Sequence, residues 1–395
     1  MKTAETESTV PPSVGAATIL REWLRIGVTG FGGPPAHISL LRRLCVSERA
    51  WLAPEDFEDA LATVNLLPGP ASTQLAIYCA WRLRGALGAV IGGVSFIVPG
   101  LIAILALSAL FLSADPPSWV RGAAAGAGSA VAAVALHAAF ELVPASWQRA
   151  GHRRAQRLRW LAYAAAGVAS AATLGPYLVL VLLACGVIEM AARAPGRRPG
   201  ALAVALPVLA RAAVPVVGGT AALAWVAFKV GALSYGGGFV IIPLMQSDAV
   251  QRYHWLTAGQ FLNAVALGQI TPGPVVQTVA VVGYGAAGLA GGLLAALIAF
   301  SPSFAFVLIG GPHFHRLKAS PRAQAFLTGA GPAAIGAIAG AAVPLALALS
   351  HTWQLAVLAG AMAWLFGARR GAVSTLIGAA LLGVLAAAIG LPVGG

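Results

Sequence analysis

Two kinds of helix-breaking sequence interrupt apolar segments of this chain, and each occurs twice. Leu233-Ser234-Tyr235-Gly236-Gly237-Gly238-Phe239 has an earlier counterpart in Gly30-Phe31-Gly32-Gly33-Pro34-Pro35, and Ile270-Thr271-Pro272-Gly273-Pro274 has one in Pro68-Gly69-Pro70. Neither kind continues as a regular helix, because glycine runs carry a large backbone entropy cost and proline removes a donor and clashes with the preceding turn. An offset of 204 residues separates Gly32 from Gly236 and Pro68 from Pro272. The same register aligns 25–76 with 229–280 without a gap, pairing Gly27 with Gly231 and Trp51 with Trp255. Such a register means an internal duplication.

The surroundings of the breaks decide the solvent. Of 395 residues, 59% are hydrophobic and 9% charged, with a mean hydropathy of +0.84. A soluble domain carries roughly 25% charged residues. Apolar runs of about 20 residues recur along the chain, which points to helices rather than a barrel. The expected fold is an all-α polytopic membrane protein made of two homologous repeats whose Gly/Pro-broken helices meet near the membrane midplane. Residues 1–16 form a polar tail without the order of a signal peptide. The first transmembrane repeat is placed at 17–193, a basic cytoplasmic linker at 194–211 and the second repeat at 212–395.

Within the first repeat, spans are expected at about 61–81, 86–112, 119–143, 160–176 and 177–192 after the broken opening helix. In the second they fall at about 212–232, 261–285, 286–310, 326–349, 353–367 and 371–390. Pro54 suits a helix start, with acids in its first turn. The loop charges orient the copies. Arg82 and Arg84 match the uncharged 284–288, the loop at Asp115-Pro116-Pro117 matches one carrying Arg316 and Lys318, the basic 149–159 loop matches the turn near Ser350, and Gly175-Pro176 matches Arg369-Arg370. Basic and non-basic loops exchange at every comparison, so the positive-inside rule implies opposite topologies.

The net charge of +13 therefore reads as loop arginine in a bilayer-embedded protein, and no nucleic-acid partner is expected. Cys45, Cys79 and Cys185 form neither a metal spacing nor a disulfide framework. Of twelve acidic residues, only Asp115, Glu141, Glu189 and Asp248 lie beyond residue 60. A cation pathway usually needs buried carboxylates, and this interior has few. Glu141 and Glu189 read as interfacial, and Asp248 has Arg252 within reach. Glu55, Asp56, Glu58 and Asp59 read as a solvated helix face. No nucleophile–His–acid arrangement, Walker loop or metal motif stands out, so no catalytic residue, metal or cofactor is expected. A membrane enzyme acting on lipid phosphates would need a nucleophile beside arginines, and only His37 lies near a break.

A glycine break inside a membrane must line a cavity or bind a ligand, because its unpaired backbone groups are costly in hydrocarbon. Where the chain resumes as a helix, free N–H groups and the positive dipole end favour an anion. The candidate binding residues at the first break are Gly32, Gly33, Pro34 and His37, and at the second Gly236, Gly237 and Gly238. The proline breaks add Pro68, Gly69 and Pro70, and Thr271, Pro272, Gly273 and Pro274. Asn65 and Gln269 occupy equivalent positions beside them, with Thr73, Gln74 and Gln277 as further polar neighbours. The prolines alone are also met by a kink without a ligand, and these polar neighbours favour a lined cavity. Arg25 and Lys229 are equivalent and precede the glycine breaks. Both attraction of an anion and snorkelling to the interface account for them. His37 has no His counterpart, since the register gives Ile241, and either proton shuttling or a packing or cavity hydrogen-bond role suits it.

Phe31-Gly32-Gly33-Pro34 with Ala36-His37, Leu67-Pro68-Gly69-Pro70, Ser234-Tyr235-Gly236-Gly237-Gly238 and Thr271-Pro272-Gly273-Pro274 together resemble the chromate ion transporter (CHR) family in its long two-domain form. The resemblance implies a multi-pass protein of the bacterial inner membrane. It implies export of chromate, driven by the proton gradient and conferring chromate resistance, with sulfate or another anion as the alternative substrate. A second copy of the chain is admitted as a partner. If the glycine run at Gly236–Gly238 is a nest for the anion, Gly237→Val is expected to block transport while the protein still reaches the membrane. Full transport by that variant would make the break a hinge only.

Overall fold

In a computed structural model, residues 14–65, 67–173, 178–193, 219–234, 241–311 and 320–393 are described. The triplet Gly236–Gly238, the 194–211 linker, most of the N-terminal tail, the Gly175-Pro176 turn and the loop bearing Arg316 and Lys318 lie outside the described residues. The described residues form fourteen α-helices and no strand. The first repeat holds α1 (Ala16–Thr29), α2 (Gly33–Arg42), α3 (Pro54–Val64), α4 (Ala71–Phe111), α5 (Ser118–Ala150), α6 (Arg154–Thr173) and α7 (Leu178–Arg193). The second holds α8 (Gly219–Leu233), α9 (Ile241–Gln246), α10 (Ala258–Ile270), α11 (Thr278–Gly310), α12 (Pro321–Leu347), α13 (Thr352–Met362) and α14 (Ala372–Ala388).

The protein is a multi-pass membrane protein. Helices Ala71–Phe111, Ser118–Ala150, Val275–Gly310 and Pro321–Leu347 are long and apolar enough to cross a bilayer. Two of these four are not straight rods. In α4, Arg84 and Gly85 leave helical geometry, and Gly85 (φ 57°, ψ −149°) enters a region that glycine alone tolerates well. The chain then doubles back, so that Gly88 abuts the Ala80 carbonyl and a Cβ on Gly93 would lie 2.9 Å from Ile77. Residues eight apart in a straight helix would be roughly 12 Å from each other. Ala287 and Gly288 (φ 60°, ψ −154°) turn α11 in the same way. The expected turns near 82–85 and 284–288 are therefore helical hairpins. The expected spans at 61–81 and 261–285 are each split by the Pro-Gly-Pro breaks into a short helix and a hairpin arm.

Local backbone geometry follows the 204-residue register closely. Both return segments end in π-helical turns, Arg43–Glu48 and Ser247–Arg252. Each is followed by a left-handed residue, Ala50 (φ 47°) and His254 (φ 52°), and each Pro-Gly-Pro glycine is left-handed, Gly69 (φ 115°) and Gly273 (φ 91°). Pro54 stands at the start of α3 with Glu55 and Asp56 in its first turn, as expected. Its counterpart α10 starts instead on a reciprocal Thr257–Gln260 capping box.

At the centre, α4 packs against α11, with α1 on α4 and α8 on α11. α1 turns Ile19, Trp23, Ile26 and Gly27 inward and leaves Leu20, Leu24 and Val28 exposed, the split of a helix with one lipid-facing side. Trp23 Nε1–H donates to the Ala76 carbonyl at 2.8 Å. Gly27 seats against the backbone of Ser95 and Phe96, and Gly231 repeats that seat against Ala299.

The outer helices interlock between the halves. α5 packs on α13 and α14, α12 packs on α6 and α7, and α5 meets α12. Small residues let these backbones approach: Gly122 and Gly126 lie against Gly383 and Ala379, and Gly336 and Gly167 lie against Ala164 and Ala333. Lipid tails are as apolar as leucine, so close van der Waals packing replaces the hydrophobic effect here. Glu189, expected at an interface, is buried. It accepts two bonds from Arg159 (2.7 and 3.2 Å), one from Arg193 (2.7 Å) and one from the Tyr163 hydroxyl (3.2 Å). A buried carboxylate is tolerated only with such multiple donors.

α14 supplies its own control for this packing. A Cβ on Gly383 would meet the Gly122 carbonyl and Gly126 backbone, whereas one on Gly378 meets nothing within 4 Å. Gly383→Leu is expected to destabilise the detergent-solubilised protein by about 1–3 kcal/mol, and Gly378→Leu by less than about 0.5 kcal/mol. Thermal unfolding of the purified variants checks this, and equal shifts would contradict the interlock.

Candidate functional site

α1 ends at Gly30, whose carbonyl would continue the helical ladder if the chain did not turn away. Instead it accepts the Gly273 N–H at 3.0 Å and the His37 Nε2–H at 2.9 Å. Donation from Nε2 fixes the ring as the tautomer whose Nδ1 is an acceptor, and Ser72 Oγ lies 3.4 Å from it. The ring is fully buried and meets Phe96 edge-on, with centroids 5.0 Å apart. His37 thus ties the first glycine break to the start of α4, and the Gly273 bond ties that break to the second repeat. The contacts of His37 are thus a carbonyl and a hydroxyl of the protein itself.

The glycines between α1 and α2 are left-handed, Gly32 (φ 97°) and Gly33 (φ 72°). Pro34 and Pro35 occupy the next positions of α2 and have no N–H. The first turn of α2 therefore offers donors only from Gly32 and Gly33, fewer than a glycine nest would supply. Gly33 faces Val275 of the opposite repeat at a projected 3.6 Å.

The proline breaks start the buried hairpin arms. In α4 the first ladder bond runs from Gln74 N–H to the Pro70 carbonyl (3.0 Å), leaving the N–H groups of Ala71, Ser72 and Thr73 without a helical partner. Gln74 Nε2–H donates to the Pro68 carbonyl at 2.7 Å. Gly69 lies against the Gly231 carbonyl, so the first proline break touches the approach to the second glycine break. On the other side, Gln277 Nε2–H donates to the Ile97 carbonyl at 3.1 Å, just ahead of Pro99. The Gly100 backbone sits against Pro272 and Gln277. Thr271 Oγ1–H caps the Leu267 carbonyl at 2.8 Å.

Several polar atoms around these contacts are buried without a hydrogen-bond partner: Thr73 Oγ1, Gln74 Oε1, Ser234 Oγ, Gln269 Nε2, Gln277 Oε1 and Ser303 Oγ. Such atoms are costly unless water or a ligand satisfies them. Five of them occupy the starts of α4 and α11, the end of α8 and the helix ahead of the second proline break, and Ser303 lies on the return arm of α11. The helix-start dipoles at both proline breaks are positive.

The family model for chromate transporters matches residues 17–190 and 221–391. The chain belongs to the chromate transporter family. A chromate transport protein of Cupriavidus metallidurans is 34% identical over 346 residues, covering 85% of this chain and 84% of the relative. A chromate transport protein of Pseudomonas aeruginosa is 31% identical over 364 residues, covering 87% and 84%. A probable chromate transport protein of Synechococcus elongatus is 29% identical over 356 residues, covering 87% and 88%. No solved structure matches the chain.

In this member of the chromate transporter family, Gly33, His37, Gly69, Gln269, Thr271, Gly273 and Pro274 are half-buried or buried at or beside the junction. Asn65, unlike its equivalent Gln269, is exposed at the end of α3, and Gly32 and Pro68 are also exposed, while Pro34 and Pro272 are half-buried and Pro70 is buried. Arg25 is exposed and pairs with Glu48 (3.4 Å) and Glu22 (3.6 Å). Lys229 is buried and pairs with Asp248. The two equivalent cations thus differ in setting, and Asp248 pairs across to α8 through Lys229. Gly30, Ser72 and Asp248 were not among the residues singled out for binding. Gly30 opens its motif, and Ser72 lies next to the polar Thr73 and Gln74. Asp248 reads from the sequence only as a neighbour of Arg252, and the structure pairs it with Lys229. Among the described residues no group of three His, Cys, Asp or Glu could hold a metal ion.

His37→Leu is expected to destabilise the protein by about 1–3 kcal/mol, because it leaves the buried Gly30 carbonyl one donor short. Ser72→Ala is expected to cost less than about 1 kcal/mol, since its 3.4 Å contact is long for a hydrogen bond. Chemical unfolding of both variants in the same detergent measures the ranking, and equal costs would remove His37 from its anchoring role.

Proposed function

We propose that this protein carries chromate out of a bacterial cell across the cytoplasmic membrane, drawing on the proton-motive force, and that this export confers chromate resistance. The observation that carries the reading is similarity to two chromate transport proteins at 34% and 31% identity over 85% and 87% of the chain. The junction of the breaks agrees with it chemically. Chromate is a tetrahedral dianion, and a site of helix starts, hydroxyls and amides supplies many weak donors around such a shape. The anion would bind at the starts of α4 and α11, with Thr73, Gln269, Gln277 and the Gly69 and Gly273 backbones about it. Gly32, Gly33 and His37 frame the approach from the first glycine break, and the 236–238 glycines keep their role as candidates by sequence.

The exchange of basic and non-basic loops between the repeats supports opposite topologies, and with them alternating access around a midplane site. Sulfate is the second candidate, because it shares the charge and shape of chromate and the donors are not specific to chromium.

Everted membrane vesicles from cells expressing the chain test the reading. Radiolabelled chromate is expected to accumulate in energised vesicles, to stop accumulating with an uncoupler, and to compete with excess sulfate. Vesicles that contain the protein and accumulate no chromate under any gradient would contradict chromate export. Accumulation of labelled sulfate by the same vesicles would then favour the second candidate.

A further inference from the structure

The buried ion pair between Lys229 and Asp248 is the one charged contact of the second repeat placed close to the breaks among the described residues. Lys229 stands two residues ahead of Gly231, which abuts Gly69 and Ala299, and Ser234 on the same helix end is buried with an unpartnered hydroxyl. The side chains of Lys229 and Asp248 are 7% and 2% exposed. The first repeat has no equivalent. The position matching Asp248 is Leu44, and the cation matching Lys229 is Arg25, whose side chain is 57% exposed. Near the first break the buried carboxylate is Glu22, paired with the exposed Arg49 and Arg25, so among the described residues beside the breaks only Lys229 and Asp248 form a pair with both partners buried, where ionisable groups are expensive.

We propose that Lys229 exchanges Asp248 for the transported oxyanion, and that Asp248 takes up a proton when it does so. The inference rests on the oxyanion-transport reading above. The chemistry balances simply. The anion displaces the Asp248 carboxylate from the Lys229 ammonium. The carboxylate, now buried without its cation, binds one proton from water, and the ammonium keeps its own. A dianion and one proton together add a net charge of minus one. The two ligands favour each other's binding, so they travel in the same direction. Outward movement of the net negative complex is then driven by the inside-negative membrane potential and opposed by the pH gradient.

α8 packs on α11 and α9. Among the described residues α11 contributes Tyr284 as its titratable group, and the turn after α9 contributes Arg252, placed 5.2 Å over the Tyr253 ring. α10, which packs on that turn, has no titratable side chain. α9 also touches α7 and α12; there Glu189 and Arg193 pair with each other and Arg159, and Arg322 is exposed.

A purely structural clamp between α8 and the following turn would hold the same geometry without moving a proton. Chromate binding to the purified protein separates the two, with proton uptake measured by calorimetry in buffers of different ionisation enthalpy. The wild type is expected to take up about one proton more per anion than Asp248→Asn. Its affinity is expected to weaken by up to about tenfold per pH unit above the titration of the carboxylate, relative to that variant. If Asp248→Asn does not fold, Lys229→Met/Asp248→Asn removes both charges, and it is expected to lose at least about tenfold in affinity with no extra proton uptake. Equal proton uptake and equal pH dependence in wild type and variant would overturn the exchange and leave oxyanion transport standing. Wild-type protein that binds no chromate would overturn the transport reading itself. In everted vesicles, discharging only the pH gradient with nigericin is expected to raise chromate uptake, whereas a fall would overturn co-directional movement.

Discussion

The carbonyl of Gly30 is the point on which the two halves of the molecule depend. A helix that ends inside a membrane exposes carbonyls that neither water nor lipid can satisfy. Here one such carbonyl receives a backbone N–H from the opposite proline break and an imidazole N–H from the following helix. The first bond couples two segments more than two hundred residues apart. The second fixes the tautomer of a buried histidine and brings Ser72, at the start of α4, beside its other nitrogen. Breaking a helix in hydrocarbon is expensive, and the expense is offset by making each break the partner of another.

The remaining packing follows from what a bilayer withholds. With little hydrophobic gain from one helix meeting another, glycine and alanine lines bring backbones together and gain dispersion contact. These lines run between the halves, from α5 to α14 and from α12 to α6 and α7. The outer helices of each half are thus held by the other half, while α1 and α8 pack within their own half on α4 and α11, which meet each other across the halves.

Much of this was legible in the sequence because glycine and proline act locally. The 204-residue register pairs the left-handed Gly69 and Gly273 and the two π-helical turns, and the turns expected near 82–85 and 284–288 are the hairpins at Gly85 and Gly288, one residue out of that register; all depend on a few neighbouring residues. Partner choice was not legible. Arg25 and Lys229 align in sequence, yet one reaches Glu48 at the surface and the other Asp248 in the interior, because the acids they meet arose at non-equivalent positions. Glu189 looked interfacial from its place near a span end, and only the fold brings Arg159 and Tyr163 over it. The two prolines after Gly33 were read as helix-breaking, although they also remove donors that an anion nest would need. Sequence marks where the backbone must break, while the tertiary fold decides which groups the break leaves free.

The central claim is that the breaks of both halves build one oxyanion site. The location of a bound heavy oxyanion tests it most directly. Crystals of the protein grown with chromate or selenate, with diffraction measured at the chromium or selenium absorption edge, would place the central atom by anomalous scattering. The account predicts a peak within hydrogen-bonding reach of the starts of α4 and α11, between Thr73 and Gln277. A peak confined to the exposed arginines of the 149–159 loop, with the junction of the breaks vacant at saturating anion, would contradict it.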